Sequence, residues 1–296
     1  MNRRLWGVLL GLAIVCALSL PLVAAESSVT LDQLIANHIK SIGAPEALAA
    51  AQARQIDGTS HFQVVVGGRG ELEGKAALVC DGRKMKMGVL FDDPGYNGEA
   101  FTTNGEKVYV QSVRSGTRSL LGEFVHNHSQ LMSEGLMGGA LSSSWALLDL
   151  KQRHAKVSLD GLKNVNGQDL YQVTYRPKKN SQDVEIKLYF DKDFRHVLSK
   201  YSVTIEPQLG MGASGMGASE TASARQTPTR YLVEEMFSGF EQFNGLTLPT
   251  AYTLQLTYES GSILTVDKMG NTIWKYDVTF QHFANAPVPP RVFTIQ

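Results

Sequence analysis

Val184-Glu185-Ile186-Lys187-Leu188-Tyr189-Phe190-Asp191 is the stretch on which the fold turns. Val184, Ile186, Leu188 and Phe190 alternate with Glu185, Lys187 and Tyr189, the period-two pattern of a strand with two unlike faces. Residues 191–194 turn the chain, and the return arm carries Val197, Tyr201, Val203 and Ile205 on one face. A lone hairpin is marginal in water, so the arms need neighbours in a wider sheet.

Neighbours appear in both directions. Towards the C-terminus, Asn244-Gly245 separates two more arms, and the second alternates Tyr252, Leu254, Leu256 and Tyr258 against Thr253, Gln255 and Thr257. Trp274, Tyr276, Val278 and Phe280 close the set. Towards the N-terminus, residues 107–113 follow an Asn104-Gly105 turn, residues 84–89 align Met85, Met87 and Val89, and residues 61–66 align Phe62, Val64 and Val66. Consecutive alternating segments without a βαβ rhythm predict an α+β fold built on one large antiparallel sheet. Such a sheet twists and curls, and its concave face must be covered.

Two helical regions supply the cover. Thr30 and Gln33 fit a capping box, Leu31, Leu34, Ile35, Ile39 and Ile42 recur at helical spacing, and Gly43 with Pro45 ends the N-terminal helix. An Ala-rich helix is expected over residues 45–53, with Asp57-Gly58 breaking the pattern. Between residues 120 and 150, Leu120, Leu121, Phe124, Val125, Leu131, Met132, Leu136 and Met137 make an imperfect helical stripe, followed by Trp145, Leu147 and Leu148. Gly135, Gly138 and Gly139 interrupt it, so the stretch reads as a helical lid with a loose middle.

The first 25 residues read as a secretory signal. Arg3 and Arg4 precede an uncharged apolar run over residues 5–23, and Val23-Ala24-Ala25 offers the small residues of a cleavage site. Pro21 favours cleavage over a retained anchor, and Cys16, which follows Val15, lacks the small neighbour of a lipidated cysteine. The expected working chain is residues 26–296, a single periplasmic domain. It holds 26 basic and 28 acidic side chains, a formal charge of −2, with no basic cluster for nucleic acid. Cys80 then has no disulfide partner and reads as a small buried hydrophobe. Residues 207–229 turn to Gly, Ala, Ser and Met, with Gly-Met-Gly-Ala-Ser at 210–214 and a variant at 215–219, and are expected to be a mobile loop inserted in the sheet.

No catalytic constellation assembles. Gly210, Gly212 and Gly215 have dinucleotide-loop spacing, but no apolar helical stripe follows to receive a pyrophosphate. His126 and His128 diverge on a helix and lack a third metal ligand, and His38 reads as a satisfied core residue. Glu234 and Glu235 are adjacent on a strand and therefore face opposite ways, while Asp92 and Asp93 precede Pro94-Gly95 as turn residues. Trp274, Tyr276 and Phe280 serve equally as core or as pocket lining. No metal, no cofactor and no enzymatic activity are expected.

Three stretches carry a family resemblance. They are His38-Ile39-Lys40-Ser41-Ile42-Gly43 with Ala47-Leu48 and Asp57-Gly58-Thr59 behind it, Leu188-Tyr189-Phe190-Asp191 leading to Val197, and residues 240–249, Phe-Glu-Gln-Phe-Asn-Gly-Leu-Thr-Leu-Pro. With the signal, the capped helix, the sheet and the lid, they resemble the LolA-like superfamily of periplasmic outer-membrane lipoprotein carriers. The resemblance implies an unclosed half-barrel whose concave apolar face, capped by helices, forms a groove for lipids or lipoprotein acyl chains; a monomer is expected. Its expected walls and lid are Leu121, Phe124, Val125, Met132, Met137, Trp145, Tyr252, Leu254, Trp274 and Tyr276. A second reading keeps the fold but makes it a sensor or interaction module for an envelope protein, acting through the 207–229 loop. A lipid hydrolase is the third.

Overall fold

The computed structural model describes residues 29–113, 116–178, 184–206, 228–259 and 270–295. The signal segment and residues 207–227 of the expected loop lie outside the described residues. Among the described residues twelve strands form one sheet, each hydrogen-bonded antiparallel to its neighbours. They are β1 (Ala53–Val66), β2 (Glu71–Asp81), β3 (Lys84–Phe91), β4 (Gly98–Thr103), β5 (Val108–Val110), β6 (Lys156–Val165), β7 (Gln168–Arg176), β8 (Glu185–Phe190), β9 (His196–Ile205), β10 (Thr229–Phe243), β11 (Leu246–Glu259) and β12 (Asn271–Ala284).

The spatial order is β5-β4-β3-β2-β1-β12-β11-β10-β9-β8-β7-β6, so the ends do not meet and the sheet is an unclosed half-barrel. The chain leaves one edge at β5 and resumes at the opposite edge with β6. Everything between those strands must therefore cross the sheet. That crossing is the lid: α3 (Leu120–Asn127), α4 (Gln130–Ser133) and two single 3₁₀ turns at Gly139–Leu141 and Ala146–Leu148, after which α5 (Leu150–Arg153) descends to β6. The N-terminal helix α1 (Leu31–Ile42) has the expected capping box, with Thr30 and Gln33 each bonding the other's backbone N–H.

Turn chemistry explains the hairpins. Asn244 and Gly245 both have positive φ, 51° and 81°, as a two-residue turn between right-twisted strands requires. Asn166-Gly167 repeats the device between β6 and β7.

Several expectations change. The Ala-rich helix α2 stops at Ala50, because β1 already begins at Ala53. Asp57-Gly58 does not end the pattern but sits inside β1, where the register against β12 slips between these two residues. A Cβ on Gly58 would stand 2.0 Å from the Thr279 carbonyl oxygen, so the bare backbone lets the strands close up at the kink. The strand expected over residues 107–113 shortens to Val108–Val110. Val197 does not share the face of Tyr201 and Val203. Tyr189 pairs with Leu198 and Phe190 with His196, so Val197 is the extra residue of a bulge and packs with Leu198, Leu170 and Tyr189 in a small second cluster. Ile205 is exposed at the strand end.

Replacing Gly58 with alanine should destabilise the protein by more than about 2 kcal/mol, since the contact is with backbone that cannot rotate away. Urea denaturation of the two forms measures it, and an unchanged midpoint would show that the kink tolerates a side chain.

Candidate functional site

The concave face and the lid meet in a single apolar cluster. Leu121, Phe124, Val125, Met132, Met137, Trp145, Tyr252, Leu254 and Tyr276 are all buried in it, and Trp274 is half-buried against it. The ten residues named from the sequence are thus brought together, four of them by the sheet and six by the lid. The groove between them is filled. Of the space enclosed by β2, β3, β4, β11, β12 and the lid, a cavity of about 30 Å³ remains, room for one or two waters and for no acyl chain.

The glycines expected to loosen the lid instead make close contacts. Gly135 has φ +65°, and a Cβ there would stand 1.8 Å from the Ser144 carbonyl oxygen. At Gly139, with φ +49°, a Cβ would stand 2.7 Å from His196 Nδ1.

What holds the lid down is polar, and it rises from the sheet. Arg54 on β1 is 2% exposed; its Nε donates to the Ala51 carbonyl, and its Nη1 donates to the lid carbonyls of Ala140 (3.0 Å) and Leu141 (3.1 Å). Glu235 on β10 is fully buried and accepts three hydrogen bonds, from Tyr201 Oη, Tyr252 Oη and the lid's Gly138 N, each 2.7 Å long. Tyr201 Oη also reaches the Leu136 carbonyl at 3.1 Å. Burial pushes the Glu235 carboxyl upward, against the three donors that favour its charged form. Its neighbour Glu234 points the other way and pairs with Lys200 at 2.8 Å, as the strand alternation requires.

His38 joins the N-terminal helix to the lid. Trp145 Nε1 donates to His38 Nε2 at 2.8 Å, so Nδ1 carries the proton and donates to the Phe194 carbonyl at 2.8 Å. Burial holds this imidazole down at about 4, and it is a satisfied neutral residue as expected. At the far end Arg153 pairs with Asp149 and donates to the Ser144 carbonyl at 2.7 Å.

A second buried carboxyl lies on β4. Tyr96 Oη donates to Glu99 Oε1 at 2.6 Å and sits 2.6 Å from Tyr276 Oη, which must then be the donor of that second bond. Glu99 Oε2 is buried with no hydrogen-bond partner, and Glu99 lines the cavity. Burial pushes the carboxyl up to about 7, opposed by the Ser119 hydroxyl and the two phenols. Asp93 is the turn residue expected, its Oδ1 accepting from Gly95 N and Tyr96 N. Cys80 is a buried free thiol, and Ser143 N donates to it at 3.3 Å.

Arg54 and Glu99 were not named from the sequence, and Glu235 was named only to be set aside. The signal was there: each is in phase with apolar neighbours on its strand, Arg54 with Ile56, Glu99 with Phe101, and Glu235 with Val233 and Phe237. Among the described residues no group of three or more His, Cys, Asp and Glu side chains is arranged to hold a metal, and no helix is long and apolar enough to cross a membrane.

Solved structures similar to this chain include a LolA superfamily protein. That protein, from Nitrosomonas europaea, matches 90% of this chain and 99% of its own at 13% identity and a TM-score of 0.45. A DUF1329 family protein from Desulfovibrio piger matches 90% of this chain and 97% of its own, at 12% identity and a TM-score of 0.40. A domain described as an outer membrane lipoprotein-sorting protein, from Vibrio parahaemolyticus, matches 84% and 93% at 14% identity and 0.42. No protein-family model and no curated protein matches the chain.

The Glu99 carboxyl sets a pH dependence. Its folded value of about 7 lies above the ordinary 4.5, so the folded state holds this proton more tightly than the unfolded chain. The resulting stabilisation is complete below pH 4.5 and is lost as pH rises through 7. Relative to Glu99→Gln, wild type should lose about 3 kcal/mol of stability between pH 4.5 and 8. Urea denaturation of both proteins at the two pH values gives the difference, and parallel behaviour would mean the carboxyl ionises freely in the fold.

Proposed function

We propose that the protein is a periplasmic carrier or chaperone that takes lipids or lipoprotein acyl chains between the curved sheet and the lid, with outer-membrane lipoprotein sorting as its setting. The observation that carries the reading is the Arg54 contact with the Ala140 and Leu141 carbonyls. A buried guanidinium bonded to the main chain of a covering segment is a releasable tie, because water replaces both partners once the segment lifts. Lifting uncovers the apolar faces of Tyr252, Leu254, Tyr276 and the lid together. Acyl chains gain about 0.8 kcal/mol per buried methylene, enough for a shielded groove to hold a lipid without covalent chemistry. The resemblance of the three sequence stretches to the LolA-like carriers points the same way.

Native mass spectrometry of protein purified from the periplasm without detergent tests the reading. Bound mass that dissociates as lipid or acylated peptide is expected, and a folded Phe124→Asp variant should carry at least tenfold less, since a charge on the lid's inner face opposes cargo burial. A bare protein that also refuses added lipid would instead favour an interaction module on the same fold.

The tie itself is testable by hydrogen exchange. In Arg54→Met the amides of residues 136–148 should exchange at least tenfold faster, from the loss of two buried donors, while β7 to β10 keep their protection. Uniform acceleration across the sheet would mean that Arg54 supports the whole fold and not the lid.

A further inference from the structure

The cavity of about 30 Å³ is apolar on every side except where Glu99 and the phenols meet it. Its walls include Leu78, Met87, Phe101, Leu121 and Val278, and no Lys, Arg or His lines it among the described residues. Glu99 is 4% exposed. Its Oε1 is engaged by Tyr96, and Tyr96 in turn by Tyr276, so these groups are consumed by one another. Oε2 has nothing. A carboxylate with a bare oxygen against apolar walls and no cation is the costly form, whereas the neutral acid needs only an acceptor for its one O–H. The missing partner is therefore an acceptor without charge, since an anion would bring a second desolvated charge into the same cavity.

We propose that this cavity is the seat of an acyl ester carbonyl, which accepts a hydrogen bond from Glu99 Oε2 while its chain runs along the groove under the lid. The proposal rests on the carrier reading and deepens it, by naming the polar feature that the cargo presents at the β2–β4 end of the groove. It makes the site selective: an ester satisfies the acid, and a plain hydrocarbon of the same length leaves it unpaired. The titratable groups that face Glu99 are Tyr96, from the β3–β4 connection, and Tyr276 on β12; burial raises both phenols, so neither ionises near neutral pH. Tyr252 on β11, the other titratable residue of the cavity wall, is bonded to Glu235 and is likewise raised.

A competition reads the preference directly. The purified protein is equilibrated with equal amounts of methyl laurate and tridecane at pH 5.5 and at pH 8.5, separated by gel filtration, and the bound molecules are extracted and quantified. Neither ligand titrates, so any change of their ratio with pH belongs to the protein. The ester-to-hydrocarbon ratio is expected to fall about tenfold from pH 5.5 to 8.5, the scale of one hydrogen bond. In Glu99→Gln, whose amide remains a donor, the high ratio should persist at both pH values, and in Glu99→Leu the low ratio should hold at both. A ratio in wild type that ignores pH would overturn the proposal and leave the cavity as a site for water alone. Uptake of neither ligand would overturn the carrier reading itself, and the two failures are distinguished by the total amount bound.

Discussion

An open sheet of twelve strands has an apolar concave face that no other part of the sheet can cover. Every other feature of the molecule answers that constraint. The cover is drawn from the chain itself, by leaving the sheet at the β5 edge and re-entering at the β6 edge. A segment forced to cross in this way has too little regular helix to satisfy all of its own backbone groups. α3 has eight residues and α4 four, and the rest is turns. Its free carbonyls and N–H groups lie where water is excluded, so partners must come up from the sheet. Arg54, Tyr201 and Glu235 are those partners, and each is spent on lid main chain between Leu136 and Leu141.

Such posts make the cover all-or-none. With the lid down, Glu235 has three donors and Arg54 makes three hydrogen bonds through Nε and Nη1, one of them to Ala51 just ahead of β1. With the lid half lifted, a buried charge faces a gap too narrow to hydrate, which is the most expensive arrangement. With the lid fully lifted, water reaches the posts. The intermediate is disfavoured against both ends, so polar groups under an apolar cover give discrete states where an apolar contact alone would allow gradual slippage. The same reasoning explains why Trp145 is anchored through His38: a bulky lid residue tied to the N-terminal helix registers the crossing at its far side.

The alternation of Val184 to Phe190 and of Tyr252 to Tyr258 was enough to read the sheet, because a period of two is written in every residue of a half-buried strand. The capping box of α1 was equally plain. Val197 was misread because a bulge shifts phase by one residue, and nothing in the local sequence marks the slip. β2, β4, β6 and β7 were not singled out; on β2 the buried face is Ala76, Leu78 and Cys80, two of them small, and β6 has no buried residue. The apolar half of the site was legible, and its polar half was not. Adjacent Glu234 and Glu235 were set aside because they face opposite ways. That geometry is correct, and its consequence is that one of the two must be buried. A charged residue in phase with an apolar strand face was the overlooked signal, and it applies equally to Arg54 and Glu99.

On the carrier reading, a closed groove can still take cargo because the lid is itself the competitor for the sheet. Phe124, Met132 and Met137 occupy the surface that an acyl chain would bury, so the energy of binding is a difference between two apolar contacts and not the full transfer of a chain from water. Gly138 lies over Met85 and Met87, whose unbranched side chains adapt to a change of partner at small expense in rotamer strain. A cargo that merely equalled the lid would gain nothing, since the ties at Arg54 and Glu235 favour closure. Net binding then has to come from chain length beyond what the lid offers or from a polar group the lid cannot satisfy. Glu99 Oε2 is a buried oxygen that the closed groove leaves without a hydrogen bond.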